Sequence, residues 1–275
     1  MRLLLQLGAV AVIAFAGSAL VGAVQWNVPL TLVFGLATAA LSLLVYAWVV
    51  RRTERRTPVE VAARGAAGAL VRGLLIGVGM FAAVITNIAF LGGYEVRGWG
   101  SAAGAVALLG FMAAAVVVEE LIFRGILFRI VEQRIGTWLS LMLTGLLFGA
   151  SHLFNPNATV WSATAIAIEA GFMLAAAYAA TRNLWVPIGV HFGWNFAQGG
   201  IFSTSVSGKD APQGLLDGVT SGPLLVSGGE FGPEASAYSV LAGVAVTAAF
   251  VWLARRRGNI VPLRRRSAPA TALAE

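Results

Sequence analysis

Eight apolar stretches, each long enough to form a transmembrane helix, occupy most of the 275-residue chain. A helix needs about 20 predominantly apolar residues to cross the roughly 30 Å hydrocarbon layer of a bilayer. Because backbone amides in lipid must bond internally, each stretch is predicted to be a helix. The spans are Leu3–Val24, Val28–Val50, Leu74–Leu91, Ala102–Phe123, Trp138–Leu153, Val160–Ala180, Leu184–Ile201 and Tyr238–Ala254. We therefore predict an all-α polytopic membrane protein with about eight transmembrane helices.

The composition excludes a water-soluble globule. Hydrophobic residues make up 58% of the chain and charged residues 11%, whereas soluble domains carry about 25% charged residues. The mean hydropathy is +0.82. The chain has no cysteine, which excludes disulfides, cysteine-ligated zinc and thiol catalysis.

The basic residues indicate the orientation of the spans. The chain has 18 arginines and one lysine, Lys209. With a cytoplasmic N-terminus, 17 of the arginines fall on the inner side, leaving Arg97 and Lys209 outside. This is the positive-inside pattern, so both termini are predicted to be cytoplasmic. No basic stretch is interleaved with aromatic residues, and nucleic-acid binding is not expected.

We divide the chain into an N-terminal part (1–100), a core (101–205) and a C-terminal part (206–275) that ends in a basic tail. The first span is expected to be retained, although a signal peptide is the alternative. The fourth span is expected to continue as helix to about Arg134. Thr57–Arg72 is predicted to be an amphipathic segment at the inner interface. The external Ser203–Ala237 loop is expected to have little regular structure, and the tail after Arg257 to be disordered.

Ionisable side chains within the spans concentrate in four consecutive ones. Charged groups at the bilayer centre are costly and by default mark function. They lie in the fourth to seventh spans together with the chain's two histidines and an asparagine: Glu119, Glu120, Arg124, His152, Glu169, His191 and Asn195. We expect Glu169 to pair with a neighbour or to line a cavity.

Helical spacing separates the two adjacent glutamates. Glu120 and Arg124 are four residues apart and share a helix face, which favours an ion pair. Glu119 lies about 100° around the helix and is left free, which would allow it to act as a general base. The alternative is a structural Glu–Arg contact between helices.

The histidines carry a similar ambiguity. His191 and Asn195 lie one turn apart and could donate hydrogen bonds to an oxyanion, or simply bond a neighbouring helix. His152 follows Phe148 by one turn and could equally be a hydrogen-bonded interfacial histidine. Together with Glu119 these groups form a set suited to hydrolysis.

The same residues resemble the CAAX protease and bacteriocin-processing (CPBP or Abi) family. Its Glu-Glu-x-x-x-Arg motif is similar to Glu119-Glu120-Leu-Ile-Phe-Arg124. Its Phe-x-x-x-His and His-x-x-x-Asn motifs are met by Phe148 with His152 and by His191 with Asn195. The resemblance covers about residues 100–205.

The resemblance implies an all-helical intramembrane endopeptidase, similar to type II CAAX prenyl proteases. It implies that Glu119 and His152 activate a water molecule and that His191 and Asn195 hold the oxyanion. Glu120, Arg124 and Phe148 would be supporting residues. Because the arginine-rich, lysine-poor chain is typical of bacteria, we expect a bacterial plasma membrane and a membrane-embedded or lipidated peptide or protein substrate.

Cofactor and function each keep an alternative. We favour a site without metal, because the zinc signature His-Glu-x-x-His is absent; zinc held by Glu119, His152 and His191 is the alternative. A non-catalytic immunity protein or a scaffold that binds hydrophobic peptides is the alternative function. A proton-coupled transporter is a third hypothesis, but the sequence shows no convincing repeat.

Overall fold

The computed structural model describes residues 1–24 and 26–263. Most of the predicted C-terminal tail (264–275) lies outside the described residues. The α-helices within them are α1 (Arg2–Ala23), α2 (Val28–Glu54), α3 (Ala66–Phe90), α4 (Ala102–Glu120), α5 (Arg129–Ser151), α6 (Val160–Ile166), α7 (Met173–Thr181), α8 (Trp185–Asn195), α9 (Leu224–Ser227) and α10 (Ala237–Arg256). Three π-helical segments continue α4, α6 and α8: π1 (Leu121–Phe128), π2 (Ala167–Phe172) and π3 (Phe196–Ile201). Two short strands are β1 (Tyr94–Trp99) and β2 (Leu216–Thr220).

The all-α polytopic membrane fold is confirmed. Six helices in the described residues are long and apolar enough to cross a membrane. One of them, Ala102–Phe154, has 53 residues and is interrupted only at Gly136, where φ is +75°. The helical stretch from Trp185 to Ile201 is too short to count among the six, so the number eight stays a prediction. The predicted continuation of the fourth span to about Arg134 agrees with the unbroken helix up to Gly136.

Glycine-lined faces bring α3 and α8 into backbone contact. Gly73 and Gly77 on α3 face Gly189 and Gly193 on α8, each pair four residues apart. A Cβ atom at Gly77 would lie 2.1 Å from the Val190 carbonyl oxygen, and one at Gly193 would lie 2.5 Å from the Leu74 carbonyl oxygen. Small residues at this spacing allow membrane helices to pack closely. This contact fixes α8, the helix that carries His191.

The predicted amphipathic segment Thr57–Arg72 is divided in the structure, and its position at the inner interface stays a prediction. Only Val59–Val61 forms a short 3₁₀ turn, and α3 already begins at Ala66. The reason is the burial of Glu60, which is 2% exposed. Arg56 Nη2 donates to Glu60 Oε1 at 2.7 Å, and the Tyr46 hydroxyl donates to the same oxygen at 2.6 Å. The segment is thus anchored at Glu60, whereas Val59 and residues 62–65 are exposed.

Glu60 belongs to a buried polar cluster at the arginine-rich end of the molecule. We call this group the basic-end cluster; its members are Tyr46, Glu54, Arg56, Glu60 and Arg129. Arg129 Nη1 donates to Glu54 Oε2 at 2.8 Å, and Arg129 Nε donates to the Gly125 carbonyl oxygen at 2.7 Å. The cluster therefore ties α2 and the 3₁₀ turn to the π1 segment that follows the motif glutamates.

The expectation of little regular structure in Ser203–Ala237 needs correction. This segment contains β2, which pairs with β1 in an antiparallel ladder from Tyr94 opposite Thr220 to Trp99 opposite Leu216. It also contains α9 and two 3₁₀ turns, Gly229–Phe231 and Pro233–Ala235. Hydrogen bonds within the segment, such as those from Ser207 to Glu234, hold it in place against the helices.

Candidate active site

Glu119 and Glu120 end α4 in very different surroundings. The Glu120 side chain is fully buried, whereas that of Glu119 is 32% exposed. Arg124, on the π1 segment, donates from Nη1 to Glu120 Oε1 at 2.7 Å, so the predicted ion pair is present. Because buried charges need both a counter-charge and hydrogen bonds, the arginine makes further contacts.

The Arg124 guanidinium is held on two other sides. Its Nη2 donates to the carbonyl oxygens of Ala170 at 3.0 Å and Gly171 at 3.2 Å, both on π2. Its Cζ lies 4.4 Å from the centroid of the Phe148 ring, within the range of a cation–π contact. Arg124 thereby joins the fourth, fifth and sixth spans at one point.

His191 bridges the two glutamates. Its Nδ1 lies 2.8 Å from Glu120 Oε1, and its Nε2 lies 3.8 Å from Glu119 Oε2. An ionised carboxylate only accepts hydrogen bonds, so the Nδ1 nitrogen carries the proton. Glu120 therefore orients the ring and directs Nε2 toward Glu119.

His152 sits in the 3₁₀ turn directly after α5. Its Nδ1 lies 2.8 Å from the Phe148 carbonyl oxygen, so Nδ1 donates and Nε2 is free to accept. The ring centroids of Phe148 and His152 are 4.9 Å apart, and those of Phe148 and His191 are 5.9 Å apart. Phe148 thus separates the two imidazoles and packs against both.

A cavity of about 400 Å³ collects the candidate residues. Glu119, His152, His191 and half-buried Asn195 all line it, together with Lys209 from the 203–237 segment. Glu119 and His152 can share this space because α5 ends at Ser151 and gives way to the 3₁₀ turn. The structure thus places the four predicted catalytic residues around one cavity of mixed polar and apolar lining, with Glu120, Arg124 and Phe148 directly behind them.

A second, smaller cavity lies behind the histidines. Glu169 lines it, as expected for a residue facing a cavity, and so does Glu234, which sequence reasoning missed. Glu234 Oε2 accepts hydrogen bonds from the Ser207 amide at 2.7 Å and from its hydroxyl at 3.0 Å. Burial raises the pKa of Glu234, although His152 and the bonds from Ser207 act in the opposite direction. A carboxylate in a loop rich in Gly, Ser and Pro gave no periodic signal that could have identified it.

The donor atoms do not form an assembled metal centre. Within residues 1–24 and 26–263, no three histidine or acidic side chains converge in a geometry that could hold a metal ion. Zinc sites need nitrogen and oxygen ligands at about 2.0–2.2 Å from one ion. His191 Nδ1 is engaged by Glu120, which leaves Nε2 as its ligand atom, as is usual for metal-binding histidines. Zinc at Glu119, His152 and His191 therefore stays an alternative.

Comparison with known families identifies the segment that holds these residues. The family model described as type II CAAX prenyl endopeptidase, Rce1-like, matches residues 100–197. This segment is similar to the CAAX protease family. It includes both glutamates, both histidines and Asn195, and the match relates it to a family of peptidases. No curated protein and no solved structure matches the chain.

Proposed function

We propose that the chain is an intramembrane endopeptidase of the CAAX protease type in a bacterial plasma membrane. Its substrates would be membrane-embedded or lipidated peptides or proteins. The observation that carries the proposal is the contrast between the two glutamates. Glu120 is paired with Arg124 and His191, whereas Glu119 faces the 400 Å³ cavity with no cation closer than His191 Nε2 at 3.8 Å among the described residues.

In the proposed reaction, Glu119 takes a proton from a water molecule in the cavity, and His152 Nε2 accepts the other hydrogen bond of that water. The water oxygen attacks the scissile carbonyl carbon, and the carbonyl oxygen becomes an oxyanion. Glu119 then gives its proton to the leaving amine, as a general acid does after acting as a base. No step in this sequence requires a metal ion.

His191 and Asn195 are proposed to hold the oxyanion. The Asn195 amide donates from its nitrogen, and His191 donates from Nε2 when the ring is an imidazolium. A charged His191 balances the local charges, because two glutamates then face two cations, Arg124 and His191. Preorganised donors of this kind stabilise the charge that develops in the transition state.

An apolar groove supports a membrane-associated substrate. A third cavity, of about 350 Å³, lies between α1, α2 and α4, and it is lined largely by small and apolar residues. Phe111, Ala115, Glu119 and Lys209 line both this groove and the 400 Å³ cavity. An apolar side chain or lipid group in the groove would therefore place the adjoining peptide bond beside Glu119. The arginine-rich end of the molecule is proposed to face the cytoplasm. Both termini would then be cytoplasmic, as the positive-inside pattern predicts.

Mass spectrometry of membrane peptides tests the proposal. Membranes from cells that contain the wild-type chain should hold new peptide termini that are missing from cells with Glu119→Gln. A non-catalytic immunity or scaffold protein would give identical termini in both. A proton-coupled transporter would also give identical termini, and sealed proteoliposomes would accumulate the transported solute.

A further inference from the structure

The small cavity behind the histidines has the size of one water molecule. Its volume is about 10 Å³, close to the minimum that a single water requires. Glu169, Trp194, His191, His152 and Glu234 contribute to its wall. It adjoins the larger cavity, with which it shares His152, His191, Asn195 and Ser207.

Polar atoms in this wall lack protein partners. Both carboxyl oxygens of Glu169 and the Trp194 indole nitrogen are buried and make no hydrogen bond within the described residues. Buried polar groups in native proteins nearly always have a partner. Gly243 packs so closely that a Cβ there would lie 2.3 Å from Glu169 Cα, which holds this residue in place. A bound water in the cavity would satisfy these atoms.

Glu234 brings the 203–237 segment into the same wall. Its side chain is buried, and its two bonds from Ser207 fix it there. It shares the wall of this cavity with His152, His191 and Glu169. Near this wall, charged groups on the packed elements include Glu119 and Glu120 on α4, Arg124 on π1, and Lys209 and Asp210 of the 203–237 segment.

We propose that Glu169 and Glu234 form a carboxyl pair that shares one proton and one water molecule and positions His152 from behind. Two carboxylates in a dry site do not both ionise, so the pair holds a proton between them. The water bonds the pair and packs against the imidazole ring of His152, whose Nδ1 is held by the Phe148 carbonyl oxygen. Glu234 is thus a positioning residue supplied by the 203–237 segment. The positioning of His152 by the pair rests on the proposed peptidase function, whereas the existence of the acid pair does not.

Infrared spectroscopy of the reconstituted protein tests the acid pair without any substrate. The spectrum should contain the C=O stretching band of a protonated carboxyl group. This band should disappear in Glu169→Gln, because Glu234 keeps its bonds from Ser207, and shift in Glu234→Gln, because buried Glu169 has no other partner. Glu230→Gln is the matched control, because Glu230 is an exposed glutamate of the same segment. Ser207→Ala removes one bond to Glu234 but no carboxyl group, so it should retain the band. A band unchanged in both glutamine variants overturns the pair.

Kinetics with a peptide substrate tests the positioning role. Glu169→Gln and Glu234→Gln should each lower kcat by about 10- to 100-fold, the scale for groups that orient a functional histidine, with little change in KM. The double variant should be no slower than the slower single variant, because both act through one water. Losses that multiply in the double variant, or a kcat equal to that of Glu230→Gln, contradict the positioning role. If the wild-type chain cleaves no peptide, the peptidase proposal fails while the infrared result still decides the pair.

Discussion

Two adjacent glutamates occupy different environments because one helix turn decides which of them meets Arg124. Glu120 accepts from Arg124 Nη1 at 2.7 Å and lies 2.8 Å from His191 Nδ1. Glu119 is 32% exposed toward the cavities. A carboxylate that is both charged and accessible is suited to act as a base, whereas a buried, paired carboxylate is suited to hold others in place.

Glu120→Gln should destabilise the protein more than any change at Glu119. The substitution leaves Arg124 as a buried charge without its carboxylate, which costs about 3–5 kcal/mol when one partner of a buried pair is lost. Glu120→Gln combined with Arg124→Gln should recover part of that loss, because no charge is then left alone. Melting of the detergent-solubilised variants measures both effects. Equal melting temperatures for wild type and Glu120→Gln would show that the pair is not structural.

His191→Ala and Asn195→Ala should each lower kcat by roughly 10²–10³-fold, the scale for losing one oxyanion donor. The melting temperature of Asn195→Ala should stay near that of the wild type. That of His191→Ala should fall modestly, because Glu120 loses a partner. Asn87→Ala is the matched control, since Asn87 is an exposed asparagine on α3 whose amide bonds the Ala83 carbonyl oxygen. Normal turnover in both site variants would show that the pair only bonds neighbouring helices.

Among the helices, the glycine faces of α3 and α8 decide how the site is held. Gly77→Val should force the helices apart, because even a Cβ there would lie 2.1 Å from the Val190 carbonyl oxygen. Overpacking of this kind costs about 1–3 kcal/mol, and displacement of α8 should also lower activity. Gly79→Ala, on the same helix with no atom within 4 Å of its Cβ position, is the control. A Gly77→Val protein with unchanged melting and turnover would contradict this packing.

The 3₁₀ turn at Glu60 predicts a dependence of stability on pH. Burial alone would raise the pKa of Glu60, but hydrogen bonds from Arg56 and Tyr46 outweigh it and hold the pKa below its usual value of 4.5. A lowered pKa in the folded state means that Glu60 stabilises the fold above its ordinary pKa and that this contribution is lost as pH falls. Glu60→Gln should therefore melt below the wild type at neutral pH, and the difference should shrink between about pH 5 and pH 3. Exposed Glu95→Gln should show no such convergence.

The elements that sequence reasoning anticipated are those governed by local periodicity. The lengths of the apolar stretches predicted the ends of α1 and α10 to within a few residues. The four-residue spacing of Glu120 and Arg124 predicted their ion pair. The segments π1, π2 and π3 follow Glu120, Ile166 and Asn195 directly, but a local change from α to π geometry has no sequence signal of this kind. Such segments are frequent at functional sites.

The whole molecule depends on contacts that no local pattern could reveal. Glu60 is buried by partners on α2 and beside π1, and Glu234 bonds Ser207 across 27 residues of chain. Both glutamates looked like ordinary loop residues. The strand pairing of β1 with β2 similarly joins two loops separated by several spans. The core residues were predictable because their motifs lie within single helices, whereas the parts that enclose them meet only in the folded chain.

Glu119 is the base that activates water in the proposed reaction. Purified wild-type protein in lipid vesicles should cleave a quenched fluorescent lipidated peptide, and cleavage should persist in EDTA, since no step requires a metal ion. Glu119→Gln should abolish cleavage while its melting temperature stays within about 2 °C of the wild type, because the change removes a base but no ion pair with arginine. A stable Glu119→Gln protein that still cleaves at the wild-type rate, or wild-type activity that EDTA removes and zinc restores, would contradict the account.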